Sequence, residues 1–225
     1  GILRMVENRF ETVPLPAVAA QLAVRKFERG RDGSLWALAG DRVLLRWFSG
    51  QWNAVGIDGA LAFEATDFAV DETGAIWLAT RNHGLLRLLP SGTRFQKSGE
   101  FFAKAGGLAT VDHVAAQGGK VYFTSSRGLS VVSMAAGGVV ETFPFPRDAA
   151  AGSRAISITP SGRVYVASNA GVVTLESRAL VPVESRNDRA HAPAVTLLSD
   201  REGQLWIGTV DAGLNLLLLG RGVRF

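Results

Sequence analysis

The sequence predicts an all-β fold, a β-propeller of four-stranded antiparallel blades, and three observations predict it. A phrase built from a turn glycine, an apolar residue, an aromatic and a second glycine followed by apolar residues recurs five times. Its aromatic anchors Trp36, Trp77, Tyr122, Tyr165 and Trp206 are spaced by 41, 45, 43 and 41 residues, and its second glycines Gly84, Gly128, Gly171 and Gly213 by 44, 43 and 42. The 26 glycines follow no collagen-like period and call for many turns, hence many short strands. Propeller blades of WD type run about 40–45 residues, which matches this period. Parallel β-helices need shorter coils, leucine-rich repeats an asparagine ladder and helical repeats a 3.6-residue period, and the sequence carries none of these.

The five copies are Arg31–Trp47, Glu72–Leu88, Gln117–Val132, Pro160–Leu175 and Arg201–Leu217. Each divides into four strands by physical signals. A first apolar stretch, such as Ala69-Val70 or Ile156-Ser157-Ile158, precedes an Asp/Pro/Gly turn in which glycine supplies the positive φ of a tight hairpin. The aromatic strand follows, and a run such as Ala75-Ile76-Trp77-Leu78-Ala79 is apolar enough to be covered on both faces. The second glycine leads to a third strand such as Leu85–Leu89, and a weaker fourth follows at Arg94–Gln96, Val139–Phe143 or Arg178–Val183, with the character of an exposed outer edge.

Gly1-Ile2-Leu3-Arg4 aligns with Gly84-Leu85-Leu86-Arg87, and Asn8-Arg9-Phe10 with the fourth strand at Thr93-Arg94-Phe95. Gly213–Leu219 and Arg221–Phe225 supply strands three and four again. The expectation is a single propeller domain over 1–225 with about five blades plus a leading half blade, part of a larger, seven-bladed ring. Unpaired blade edges at such a cut predict association with neighbouring blades or a second subunit.

Composition excludes several function classes. There is no cysteine, so no disulfide, thiolate metal site or cysteine nucleophile. No apolar run reaches the roughly 18 residues that cross a bilayer, so the membrane enters only through segments outside this chain. The net charge of +4 invites a nucleic-acid reading, but apart from Arg25, Lys26, Arg29 and Arg31 the basic residues are scattered singly, and no nucleic-acid partner is expected. His83, His113 and His191 occupy three different places in the repeat, none at metal-ligand spacing to an acid or a second histidine. The glycine-rich stretches lie in hairpins rather than before helices, so no phosphate-binding or nucleophile-elbow motif is present. No catalytic residue, metal or cofactor is expected. His191, beside Asp188 and Arg189, is the first candidate were the propeller an enzyme.

The pattern aspartate-x-x-glycine-x-apolar-Trp-apolar-Gly/Ala-Thr-x-x-x-glycine-leucine, at Asp71–Leu85 and at Asp200–Leu214 with its LWIGT core at Leu205–Thr209, resembles the two-component regulator propeller repeat. The resemblance covers essentially the whole chain. The copy at Trp36 lacks the threonine and the glycine-leucine pair, and tyrosine replaces tryptophan at Tyr122 and Tyr165. What the resemblance implies is a ligand-sensing, periplasmic part of a bacterial membrane receptor, with a histidine kinase or diguanylate cyclase output elsewhere in the protein and oligosaccharides among the ligands. Streptogramin-lyase propellers also use a glycine-x-x-Trp phrase, which keeps an enzyme reading as an alternative beside a protein-interaction scaffold.

Loops between strands two and three all emerge at one end of the blades and form the candidate ligand rim. They carry Arg81, Asn82 and His83; Ser125, Ser126 and Arg127; Ser168 and Asn169; and Asp211. The predicted ligand-binding set is Arg81, Asn82, His83, Ser126, Arg127, Asn169 and Asp211, suited to a small polar ligand or a protein partner. Each also fits an ordinary solvated turn. Trp36, Trp77 and Trp206, at a fixed strand-two position, are expected to pack between blades rather than to stack on sugars, and Trp47 and Trp52 to pack at a sheet edge.

Overall fold

In four of the five blades the hairpin between strands one and two is set by one glycine, and in blade 3 by the pair Gly118-Gly119 with φ +64° and +70°. In the second blade Gly74 N donates to Asp71 O at 3.0 Å and Asp71 N to Ala75 O at 3.0 Å, which closes a β-turn whose last residue must take a left-handed backbone. Gly74 has φ +79°, and Gly33, Gly162 and Gly203 at the equivalent positions have +80°, +84° and +82°. The computed structural model describes residues 1–30, 32–58, 63–91, 94–101, 110–146, 153–183 and 192–217.

Two compact units divide the chain, Gly1–Thr110 and Val111–Phe225. The first opens with a two-stranded ribbon, β1 (Ile2–Val6) and β2 (Arg9–Val13). Blade 1 follows as β3 (Val24–Arg29), β4 (Leu35–Ala39), β5 (Val43–Phe48) and β6 (Gln51–Ala54), and blade 2 as β7 (Ala65–Val70), β8 (Ile76–Thr80), β9 (Leu85–Ser91) and β10 (Arg94–Phe101). The second unit holds blade 3, β11 (His113–Gln117), β12 (Lys120–Ser125), β13 (Gly128–Ser133) and β14 (Val139–Phe143), and blade 4, β15 (Ser153–Ile158), β16 (Val164–Ser168), β17 (Gly171–Glu176) and β18 (Ala179–Pro182). Blade 5 shows β19 (Ala194–Ser199), β20 (Leu205–Thr209) and β21 (Leu214–Leu217); its expected fourth strand at Arg221–Phe225 lies outside the described residues. Every sheet is an antiparallel meander, so the five-bladed propeller read from the period is the fold observed.

The register follows the pleat. Strand two is the most covered element, with every residue of β8 and β16 buried, while of the fourth strands β10 is mostly and β18 half exposed. In the first unit Trp36, Leu38 and Leu44 of blade 1 share a core with Phe68, Ile76, Leu86, Leu88 and Phe95 of blade 2, and the Trp36 ring meets Phe95 edge-on at 5.7 Å. Trp36 therefore packs between blades, as expected. On its other face blade 1 packs Ala37, Leu45 and Trp52 with Val13 and Ile2 of the ribbon. Trp47 and Trp52 are a cross-strand pair with ring centres 5.5 Å apart, the edge packing that their positions predicted. In the second unit Tyr122 and Leu129 of blade 3 pack on Val164, Val166 and Val173 of blade 4, and Tyr165 and Val172 of blade 4 on Leu197, Leu205 and Ile207 of blade 5. Burying one such aromatic or aliphatic side chain is worth about 1.5–3 kcal/mol, so the interblade seams carry most of the stability.

Polar ties repeat along the strand-one positions. Lys26 Nζ donates to Phe68 O at 2.8 Å, Gln117 Nε2 to Thr159 O at 2.9 Å, and Ser199 N to Ser157 Oγ at 2.9 Å, each pair 42 residues apart. One repeat thus reaches the same place on the next. Lys26 also pairs with Asp67 at 2.7 Å and Glu28 at 3.6 Å.

Candidate functional site

A hydroxyl at the end of strand two builds each loop of the candidate rim in blades 2 to 5. Thr80 Oγ1 donates to Gly84 O at 2.8 Å and accepts from His83 N at 2.8 Å. Thr209 repeats this with Gly213 O at 2.8 Å and Ala212 N at 3.1 Å. Ser168 Oγ donates to Gly171 O at 3.0 Å and accepts from Ala170 N at 3.2 Å, and Ser125 Oγ accepts from Arg127 N at 3.2 Å. A short side-chain hydroxyl fits here because it satisfies backbone groups that a tight turn leaves unpaired. A second tie fixes the loop to the segment entering strand one: Arg81 N donates to Glu64 O at 2.9 Å and Val210 N to Pro193 O at 3.1 Å. These bonds brace the loop backbones against their own blades.

In the first unit Arg81, Asn82 and His83 lie together in the β8–β9 loop. Arg81 is exposed, and Asn82 Oδ1 accepts from Glu64 N at 3.2 Å. His83 Nδ1 stands 3.5 Å from Glu100 Oε1 of β10. The sequence reading missed this pair because it ends strand four at Gln96, whereas β10 runs on to Phe101 opposite Leu85, at the mouth of the loop. The Glu100 carboxyl is held below the usual carboxylate range, chiefly by the hydrogen bond from Lys97 Nζ at 3.0 Å, with His83 adding to it. In the second unit Ser126 and Arg127 (β12–β13), Asn169 (β16–β17) and Asp211 (β20–β21) stand at the same end of successive blades. Ser126, Arg127 and Asp211 are exposed, whereas Asn169 Oδ1 accepts from Arg154 Nε of β15 at 3.0 Å. Asn82 and Asn169 thus share one task, anchoring their loops to the strand-one side of their own blades.

Among the described residues no group of three or more histidines or acids is placed to hold a metal ion. His113 is half-buried on β11; His191, Asp188 and Arg189 lie outside the described residues.

At the opposite end of the blades, the aspartate of the repeat does more than turn the chain. Asp71 Oδ1 accepts from Thr73 N at 2.8 Å, Thr73 Oγ1 at 2.6 Å and Ala75 N at 3.1 Å, and Asp71 Oδ2 takes the indole proton of Trp77 at 2.8 Å. Asp200 does the same for Gln204 N at 2.8 Å and Trp206 Nε1 at 3.0 Å. The signal was in the sequence as a fixed aspartate-to-tryptophan spacing of six. Its meaning needed the hairpin, which brings the carboxylate to the N–H edge of the ring. An arginine of strand three lies over a ring face: Arg46 is 5.1 Å from the Trp36 ring and Arg87 5.4 Å from that of Trp77.

No protein-family model matches the sequence, and no curated protein matches it significantly. Solved structures do. Virginiamycin B lyase from Staphylococcus aureus superposes with TM-score 0.70 at 12% identity, over 96% of this chain and 73% of its own. The extracellular domain of a hybrid two-component system from B. thetaiotaomicron superposes with TM-score 0.71 at 17% identity, over 97% of this chain and 30% of its own. The WD40 propeller domain of Doa1 gives TM-score 0.63 at 17% identity, over 85% of this chain and 62% of its own. At these identities the likeness establishes the propeller fold, which enzymes, sensor domains and scaffolds share.

Proposed function

We propose that this chain is a non-catalytic, extracytoplasmic sensor propeller of a bacterial membrane-bound signalling receptor, one that binds a small polar ligand, an oligosaccharide in the first instance, at the strand-two-to-three loop end. The observation that carries this reading is the strand-two unit itself. A hydroxyl ties the loop backbone in each of blades 2 to 5, and in blades 2 and 5 an aspartate also clamps the indole at the other end, so a braced strand two presents Arg81 to solvent in the first unit and, in the second, Ser126, Arg127 and Asp211. Rigid backbones with exposed polar side chains suit recognition because little entropy is lost on binding. The likeness to extracellular domains of two-component systems supports the same reading.

The test is a thermal-shift screen of oligosaccharides on this chain. A sensor site gives a melting temperature that rises with ligand concentration and loses that rise in Arg81→Ala and Arg127→Ala. A screen in which every sugar leaves the melting temperature unchanged refutes the small-sugar version and transfers the loop end to a protein partner. An enzyme reading draws on one observation, the His83–Glu100 pair, because a carboxylate beside a ring nitrogen can orient a base. It requires a turnover that His83→Ala abolishes.

A further inference from the structure

Alternation along a strand sends neighbouring residues to opposite faces, and in two places it leaves an apolar face open. In blade 5, Leu197, Leu205 and Ile207 pack on blade 4, so Leu198, Trp206 and Leu216, which stand opposite one another across the three strands, face away together with Leu214. These three leucines are 42–68% exposed. The surroundings of this aromatic differ from those of the other tryptophans. Glu28 and Arg46 stand across from Trp36, and Ala69 and Arg87 across from Trp77, whereas Trp206 has a leucine on both sides. In the β1–β2 ribbon Ile2 and Val13 pack on blade 1, and the opposite face carries Leu3, Met5 and Phe10, 62–72% exposed. Exposed apolar clusters of this kind mark interaction surfaces.

The seams inside the chain say what covers each face. Leu3, Met5 and Phe10 align with Leu86, Leu88 and Phe95 of blade 2, and those three are buried against Trp36, Leu38 and Leu44 of blade 1. The open face of the ribbon is therefore the side of a seam that receives a strand-two aromatic. Trp36, Trp77, Tyr122 and Tyr165 are buried, and Trp206 is the strand-two aromatic left half-buried. We propose that copies of this chain associate head to tail, the aromatic face of blade 5 in one copy seating on the ribbon of the next, with Trp206 meeting Phe10 as Trp36 meets Phe95. The remaining strand positions on these faces are Thr12 in the ribbon and Thr196 and Gly208 in blade 5, so no charge has to be stripped of water. The two faces differ, which makes the contact heterologous: a copy that has used its ribbon still offers its blade 5, and assembly continues past the dimer.

The test is sedimentation velocity over a concentration series. The mass of the unaltered chain should rise with concentration past twice that of a single copy. Phe10→Glu and Leu214→Glu, both at exposed positions, should each hold the chain as a monomer, because the seam would have to bury an unpaired carboxylate. Mixed in equal amounts the two variants should form a pair and stop there, since each keeps the face that the other has lost. Circular dichroism checks that both keep their fold, and Leu3→Glu or Leu198→Glu stands in for one that does not. Arg81→Ala and Arg127→Ala should associate as the unaltered chain does, which separates this contact from the loop end. An unaltered chain that stays monomeric at every concentration, a Phe10→Glu or Leu214→Glu variant that still pairs with itself, or a mixture that remains monomeric overturns the assignment.

Discussion

Replacing Asp71 by alanine tests the claim that the repeat aspartate is a clamp. The indole nitrogen of Trp77 belongs to a fully buried side chain whose proton goes to Asp71 Oδ2. Without the carboxylate that donor is stranded at a cost of about 1–3 kcal/mol, and the amide of buried Ala75 loses its 3.1 Å bond to the same group for about another 1 kcal/mol. Thr73 is exposed and recovers its bonds from water. Asp71→Ala should therefore destabilise the chain by about 2–4 kcal/mol. In blade 5 the partner Trp206 is only half-buried, so Asp200→Ala should cost about 1–2 kcal/mol. Urea unfolding followed by tryptophan fluorescence compares the midpoints, with the slope checked because two units need not unfold together. Trp77→Phe removes the indole proton itself, and the Asp71→Ala/Trp77→Phe cycle should show a coupling of about 1–3 kcal/mol. Strict additivity, or an Asp71→Ala midpoint no lower than that of Asp200→Ala, refutes the clamp.

Three further outcomes follow from individual contacts. Gly128→Ala should leave the second unit unfolded or the protein insoluble, because an added Cβ meets Phe143 O at 2.1 Å and φ is +130°, whereas Gly74→Ala, with open space around it, should cost only about 1–2 kcal/mol; expression and melting curves distinguish them. Burial pushes the Glu28 carboxyl up, an effect that the nearby Lys26 only partly offsets. A raised carboxylate favours the fold below its unfolded pKa and loses that contribution as pH rises through its folded value, so Glu28→Gln should melt above wild type at pH 7 and converge with it in acid. Glu100, held low chiefly by Lys97, contributes stability above the unfolded carboxylate value of about 4.3 that disappears as pH falls through its folded pKa. Lys97→Ala should accordingly flatten the acid limb of a pH–melting curve.

Which parts of this were legible in the sequence follows from how far apart the interacting residues lie. The strands, their order and the buried aromatic row could be read because hairpin glycines and strand patterning act between near neighbours: Gly74 forces its turn wherever the rest of the chain goes, and Trp77 is covered because the run Ala75–Ala79 is apolar throughout. The strand-two-to-three loops could be located along the chain for the same reason, since an antiparallel meander returns that connection to one end of its own blade. The sequence alone showed neither that Asn82 and Asn169 are loop anchors nor that Glu100 stands beside His83, which depends on how far β10 runs along β9. Local backbone preference therefore determined the blades, while the interblade seams, whose partners lie about one repeat away, decided which side chains are satisfied or stacked.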